Sequence, residues 1–69
     1  MRTYGKLREK IKKEFGTNGA FADAMGLDRS TISKKLNSIV PWDGLEMEKC
    51  CKLLGYSNDA IPELFFYDE

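Results

Sequence analysis

Asn18-Gly19-Ala20-Phe21-Ala22-Asp23-Ala24-Met25-Gly26-Leu27-Asp28-Arg29-Ser30-Thr31-Ile32-Ser33-Lys34-Lys35-Leu36-Asn37 reads as two short helices hinged at a glycine. Phe21, Ala22 and Met25 fall on one stripe of the first helix, and Asp28 opens a second whose inward residues are Ile32 and Leu36. Ala22 stands where the two helices face each other, and a larger side chain there would hold their axes apart. Gly26 reaches positive φ without the steric penalty of a Cβ, so the chain turns at once after Met25. Leu27 then tucks under the turn, and the Asp28 carboxylate is placed to cap the free N–H groups of the second helix. The product is a helix-turn-helix.

The flanking segments carry the same signals. Thr3 is placed to cap a first helix running to about Phe15, with Tyr4, Leu7, Ile11 and Phe15 lining one side, and Gly16 ends it. Its other face, with Arg8, Lys12 and Lys13, reads as ordinary solvated surface, of which one or two residues near the N-terminus touch phosphate in a DNA-bound reading. Thr17 caps the next helix and leaves Asn18 in its opening turn, where a phosphate role and a plain capping role weigh equally. Ile39, Val40, Pro41 and Trp42 are too apolar for a mobile linker. Trp42 is expected to lid the core, the alternative being an indole N–H bond to phosphate. Asp43-Gly44-Leu45-Glu46 has the spacing of a capping box, ahead of a helix in which Met47, Cys50 and Leu54 share a stripe and which Gly55 ends. A last helix, from about Ala60 to Phe66, brings Ile61, Leu64, Phe65, Phe66 and Tyr67, more apolar surface than one small core needs. Phe66 and Tyr67 are therefore expected at a two-fold contact between copies, unless all of them are core.

Length and composition bound the function. A chain of 69 residues is expected to form one domain, residues 1–69, and one this small hides only about 60% of its unfolded surface, so no roomy catalytic cavity is expected. No apolar run is long enough to cross a bilayer, and Met1-Arg2-Thr3-Tyr4-Gly5-Lys6 lacks the hydrophobic stretch of a secretion signal, which points to the cytoplasm. Cys50 and Cys51 are adjacent and the chain has no histidine, so neither a long-range disulfide nor a four-ligand zinc site is expected. Cys50 reads as a core residue and Cys51 as lying on the shoulder of that face. Glu46 and Glu48, two apart on a helix, point in different directions and form no paired-carboxylate site.

Net charge is zero, which by itself disfavours a nucleic-acid binder. The charge is unevenly spread, however. Residues 1–37 carry nine basic and four acidic side chains, and residues 38–69 carry two basic and seven acidic ones. The second helix of the motif lies in the positive half. With Ile32 and Leu36 inward, Ser30, Ser33, Lys34 and Asn37 are left on its open side and Arg29 at its tip. An arginine can grip guanine O6 and N7 with two hydrogen bonds, serine can serve several bases or a phosphate, and lysine a base or the backbone.

Ala22, Gly26, Ile32 and the closing Asn37 resemble the lambda-repressor-like, Cro-type (XRE) family of phage and bacterial regulators. One helix before the motif, two after it, and the Ile61-Pro62-Glu63-Leu64-Phe65-Phe66 ending are similar to small phage Cro-like repressors. The resemblance implies an all-α, lambda-repressor-like bundle of about five short helices. It implies a transcriptional regulator that binds palindromic double-stranded operator DNA as a homodimer, with residues 28–37 as the recognition helix in the major groove and half-sites about 10 bp apart. Arg29, Ser30 and Lys34 match positions at which the family reads base edges, and Ser33 shares their face. Asn18, Asn37 and Ser38 match places where the family lies along the sugar-phosphate backbone, the last two through backbone N–H groups, and Lys35, on the flank of the same helix, is a further candidate phosphate contact. The family often has an apolar residue where Lys35 stands. Leu36 lies on the flank of the Ile32 face, so the apolar stripe is rotated and not abolished.

No enzyme, metal, cofactor or small-molecule substrate is expected: a Ser30/Lys34 pair on an open helix face would lack an oxyanion site. The competing reading keeps the fold but makes it a protein-interaction module, an antitoxin or anti-repressor with little DNA binding, using the acidic C-terminal half.

Overall fold

Glycines and small polar residues divide the chain into short helices: α1 (Gly5–Phe15), α2 (Asn18–Met25), α3 (Arg29–Leu36), α4 (Gly44–Leu53) and α5 (Ile61–Phe65), the last entered through a 3-10 turn at Asn58–Ala60. The computed structural model describes residues 2–66, and among them there is no strand. The expected all-α bundle of five short helices is the fold. Tyr67 lies outside the described residues.

Local chemistry sets most of the helix ends. The Thr17 hydroxyl accepts from the Ala20 N–H at 3.1 Å. At the start of α4 the Asp43 carboxylate accepts from Glu46 N–H at 2.7 Å while the Glu46 carboxylate accepts from Asp43 N–H at 3.0 Å, a reciprocal box. Gly26 ends α2 with φ 74°, and the Leu27 N–H reaches back to the Ala22 carbonyl at 3.0 Å. A Cβ at Gly26 would meet nothing nearer than the Lys49 ammonium at 4.0 Å, so the cost of Gly26→Ala is backbone strain alone, about 1–2 kcal/mol. Urea unfolding should show that loss with an unchanged slope.

Two caps differ from expectation. Thr3 does not start α1; Tyr4 occupies the cap position in the left-handed region (φ 53°, ψ 38°) without a side-chain cap bond. Its ring instead turns inward, edge-on to Trp42 and Phe65 at centroid distances of 6.3 and 6.4 Å. Asp28 holds the cap position of α3, but its side chain makes no cap bond. That carboxylate is exposed, and hydration there costs it nothing.

The core gathers Leu7 and Ile11 from α1, Phe21, Ala22 and Met25 from α2, Ile32 and Leu36 from α3, Cys50 and Cys51 from α4, and Leu64 and Phe65 from α5, closed by Trp42 and Leu54. α2 packs on α1, α3 and α4, and α5 lies across α1 and α4. Trp42 lids this core as expected, its ring 5.2 Å from that of Phe65, but its buried indole N–H has no acceptor among the described residues. Cys51 is not on a shoulder: both thiols are fully buried, with Cys50 Sγ 3.7 Å from Met25 Sδ.

Burial pushes the Cys50 thiol from 9.0 up to about 12, and raises Cys51 for the same reason. The sign follows from linkage. The unfolded chain releases these protons first, so their contribution is intact below the unfolded thiol value of 9.0 and declines as pH rises above it toward about 12. Unfolding midpoints should fall from about pH 9 upward and lose that trend in a Cys50→Ala/Cys51→Ala double variant.

Candidate functional site

The open side of α3 is the surface on which the sequence reading turns. Burying Ile32 and Leu36 leaves Arg29, Ser30, Ser33 and Lys34 exposed in one row. Arg29 and Lys34 have no ion-pair or hydrogen-bond partner among the described residues. Arg29 lies across the first turn of α2, where a Cβ added to Gly19 would stand 3.2 Å from its Cδ. The missing side chain at Gly19 therefore lets the arginine lie against α2. Asn18, one residue earlier, is exposed at the start of that helix.

Lys35, expected as a phosphate contact on the flank, is only 6% exposed and points inward. Its ammonium donates to the Glu46 carboxylate at 2.7 Å and the Pro41 carbonyl at 2.9 Å, and lies 5.7 Å from the centre of the Trp42 ring. Lys35 thus fills the apolar position of the stripe with its own methylene stem and delivers its charge to the base of α4.

Asn37 and Ser38, expected to offer their N–H groups to a nucleic-acid backbone, donate within the chain: the N–H groups of Asn37, Ser38 and the following Ile39 reach the Ser33, Lys35 and Lys34 carbonyls at 2.9, 3.2 and 2.8 Å. Ser38 adopts φ 61°, so the end of α3 is closed by a Schellman turn built without glycine. The Asn37 side chain accepts from Arg8 at 2.9 Å, and the Ser38 hydroxyl donates to the Arg2 carbonyl at 2.7 Å. Side chains and backbone of this loop are largely committed within the molecule.

The uneven charge is also partly closed up on folding. Lys6 pairs with Glu63 at 3.1 Å, Lys35 with Glu46, and Lys10 lies 5.7 Å from the Tyr56 ring centre. Lys49, from the acidic half, caps the C-terminal end of α2 through the Met25 carbonyl at 3.1 Å. Two exposed apolar residues accompany the α3 edge and the start of α4: Ile39 at 69% and Leu45 at 80% exposure. The sequence placed Ile39 in an ordered apolar connection and Leu45 within the capping box, and neither pattern marked the residue as exposed. Phe66 is half exposed, under the Arg2 guanidinium at 5.2 Å. Among the described residues no acidic or cysteine cluster could hold a metal ion, and no helix is long and apolar enough to cross a membrane.

Residues 2–69 match the family model described as a protein of unknown function, DUF739. No curated protein matches the chain. Among solved structures, it is similar to the solution structure of the modulator of repression of the temperate bacteriophage TP901-1 from Lactococcus lactis. The two are 40% identical over 94% of this chain and 88% of that one, with a TM-score of 0.83.

Proposed function

The chain belongs to the DUF739 family, and we propose that it is a small, single-domain phage regulator that modulates repression by contacting a repressor protein in the cytoplasm. What carries the reading is its likeness, at 40% identity over nearly its whole length, to a modulator of repression. The charge economy supports it. A DNA-binding surface gains most of its affinity from cations that neutralise phosphates, yet Lys35 is spent on Glu46 and the N–H groups after α3 are spent on its own end turn. The function is contact, with no chemistry performed on a substrate.

One observation keeps the DNA-binding reading in play: Arg29, Ser30, Ser33 and Lys34 remain solvent-facing on α3. In that reading the Cro-like homodimer would use Phe66 at its two-fold contact. Gel retardation separates the two. A modulator alone leaves operator DNA unshifted at low salt and changes the mobility of the repressor–operator complex when added to it. Selective, steeply salt-dependent retardation by the chain alone would overturn the proposal.

The α3 edge is the working surface in either case. Arg29→Ala with Lys34→Ala should weaken repressor binding by about 10- to 100-fold, a loss of about 1.4–3 kcal/mol, without lowering the unfolding midpoint. Calorimetric titration measures it, and unaltered affinity would move the contact to another face.

A further inference from the structure

We infer that the pocket between the N-terminal strap (residues 2–4) and the C-terminal end of α3 is a socket for a carboxylate side chain of the protein partner. The pocket, about 250 Å³, is lined by Arg2, Thr3, Arg8, Leu36 and Asn37. Its centre is Arg8. That guanidinium is half-buried, and its three acceptors are all neutral: the Thr3 carbonyl at 2.9 Å, the Leu36 carbonyl at 2.7 Å and the Asn37 side-chain oxygen at 2.9 Å. No carboxylate pairs with it among the described residues.

The three acceptors orient the planar group but leave its charge uncompensated and the Nη1 hydrogens unassigned. A cation held this way binds an oxyanion more strongly than a solvated lysine does, because its geometry is set before the ligand arrives. Arg2, whose guanidinium lies over Phe66, puts a second positive charge on the rim, and the Thr3 hydroxyl and Asn37 amide add neutral polar groups. Ser38 fixes the opposite wall by holding the Arg2 carbonyl.

Two observations favour a carboxylate over a nucleic-acid phosphate. The pocket volume suits the end of one side chain, and the backbone N–H groups of residues 37–39, which a phosphate strand would use, are closed into the α3 end turn. The socket adjoins the α3 edge through the bond from the Asn37 amide to Ser33 Oγ at 3.4 Å, so one partner can span both. The identity of the occupant rests on the reading of the chain as a protein-contact module. The existence of the socket does not.

The test uses the full chain alone, by ¹⁵N-correlated NMR. Sodium propionate, a stand-in for a glutamate side-chain end, is titrated against sodium chloride and sodium phosphate at matched ionic strength. Propionate should shift the Thr3, Arg8 and Asn37 amides and the Arg8 Nε–H saturably, where chloride gives only a small linear drift. Arg8→Lys keeps the charge but loses the fork and should raise the half-saturating concentration about tenfold. Asn37→Asp, which sets a carboxylate of the chain itself against the Arg8 guanidinium in place of the neutral amide oxygen, should abolish saturation and carries the test if Arg8→Lys does not fold, while Lys13→Gln should leave the half-saturating concentration unchanged. Equal responses to propionate and chloride, or an Asn37→Asp variant that binds propionate normally, would overturn the socket. Phosphate saturating at tenfold lower concentration than propionate would overturn the carboxylate assignment in favour of a phosphate site. None of these results depends on whether the chain contacts a repressor.

Discussion

Glu46→Ala should be among the most destabilising single substitutions in the protein, lowering unfolding free energy by about 3–5 kcal/mol. The Glu46 carboxylate is the only ionic partner of the buried Lys35 ammonium among the described residues, and one of its oxygens also accepts the Asp43 N–H that completes the α4 box. Removing it leaves a buried charge unpaired, a change that costs far more than the intact pair contributes. A chain of this length has roughly 3–10 kcal/mol of stability in total, so the variant should be largely unfolded or melt at least ~15 °C lower. The informative control is Lys35→Met with Glu46→Gln, which removes both charges and keeps the volume; it should recover most of the loss. Calorimetry or urea unfolding decides it. A loss under about 1 kcal/mol for Glu46→Ala would show that the ammonium finds water instead.

Phe65→Ala should be comparably severe, at about 3–5 kcal/mol. The Phe65 ring is 1% exposed and meets Trp42 and Tyr4 edge-on, so truncation empties the point where the strap, the segment after α3 and α5 converge. With α5 only five residues long, there is little intrinsic helix stability to hold the end of the chain once that packing is gone. Circular dichroism should show a lowered, broadened melt. Phe65→Leu, which keeps most of the volume, should retain more than half of the lost stability. A native-like melt for Phe65→Ala would mean that α5 is held by its ion pair between Lys6 and Glu63.

What was legible in the sequence is what is decided within a few residues. The Gly26 turn, the Thr17 cap and the Asp43–Glu46 box each depend on neighbours three to five positions away, and each is present. Ala22, Ile32 and Leu36 could be placed in the core because helical periodicity fixes a face whatever lies beyond it. Lys35 could not be. Whether a lysine beside an apolar stripe turns out or in depends on an acceptor at the far end, and Glu46 becomes that acceptor only when α4 docks against α3. Arg8 is a sharper case: its two acceptors on the α3 end are 28 and 29 residues away, and nothing near it in the chain distinguishes it from Lys12 or Lys13. Ser38 was obscured for another reason. A glycine announces a left-handed turn, whereas a serine in that conformation is identified only by the Arg2 carbonyl that its hydroxyl holds. The α3 edge itself was legible as a surface, since exposure follows from periodicity, but its ligand was not, because two cations and two serines suit an acidic protein face as well as a nucleic acid.

The orphaned indole N–H makes Trp42 an internal optical gauge. It is the sole tryptophan and it is buried among apolar rings, with no acceptor for its N–H among the described residues, so its fluorescence should lie toward the blue end of the protein range. The Lys35 ammonium over its ring and the Tyr4 and Phe65 edges beside it are contributed by α3, the strap and α5. Any event that shifts one of those three elements, including a partner engaging the α3 edge, changes the light this residue emits, and the unmodified protein can be titrated with no label attached.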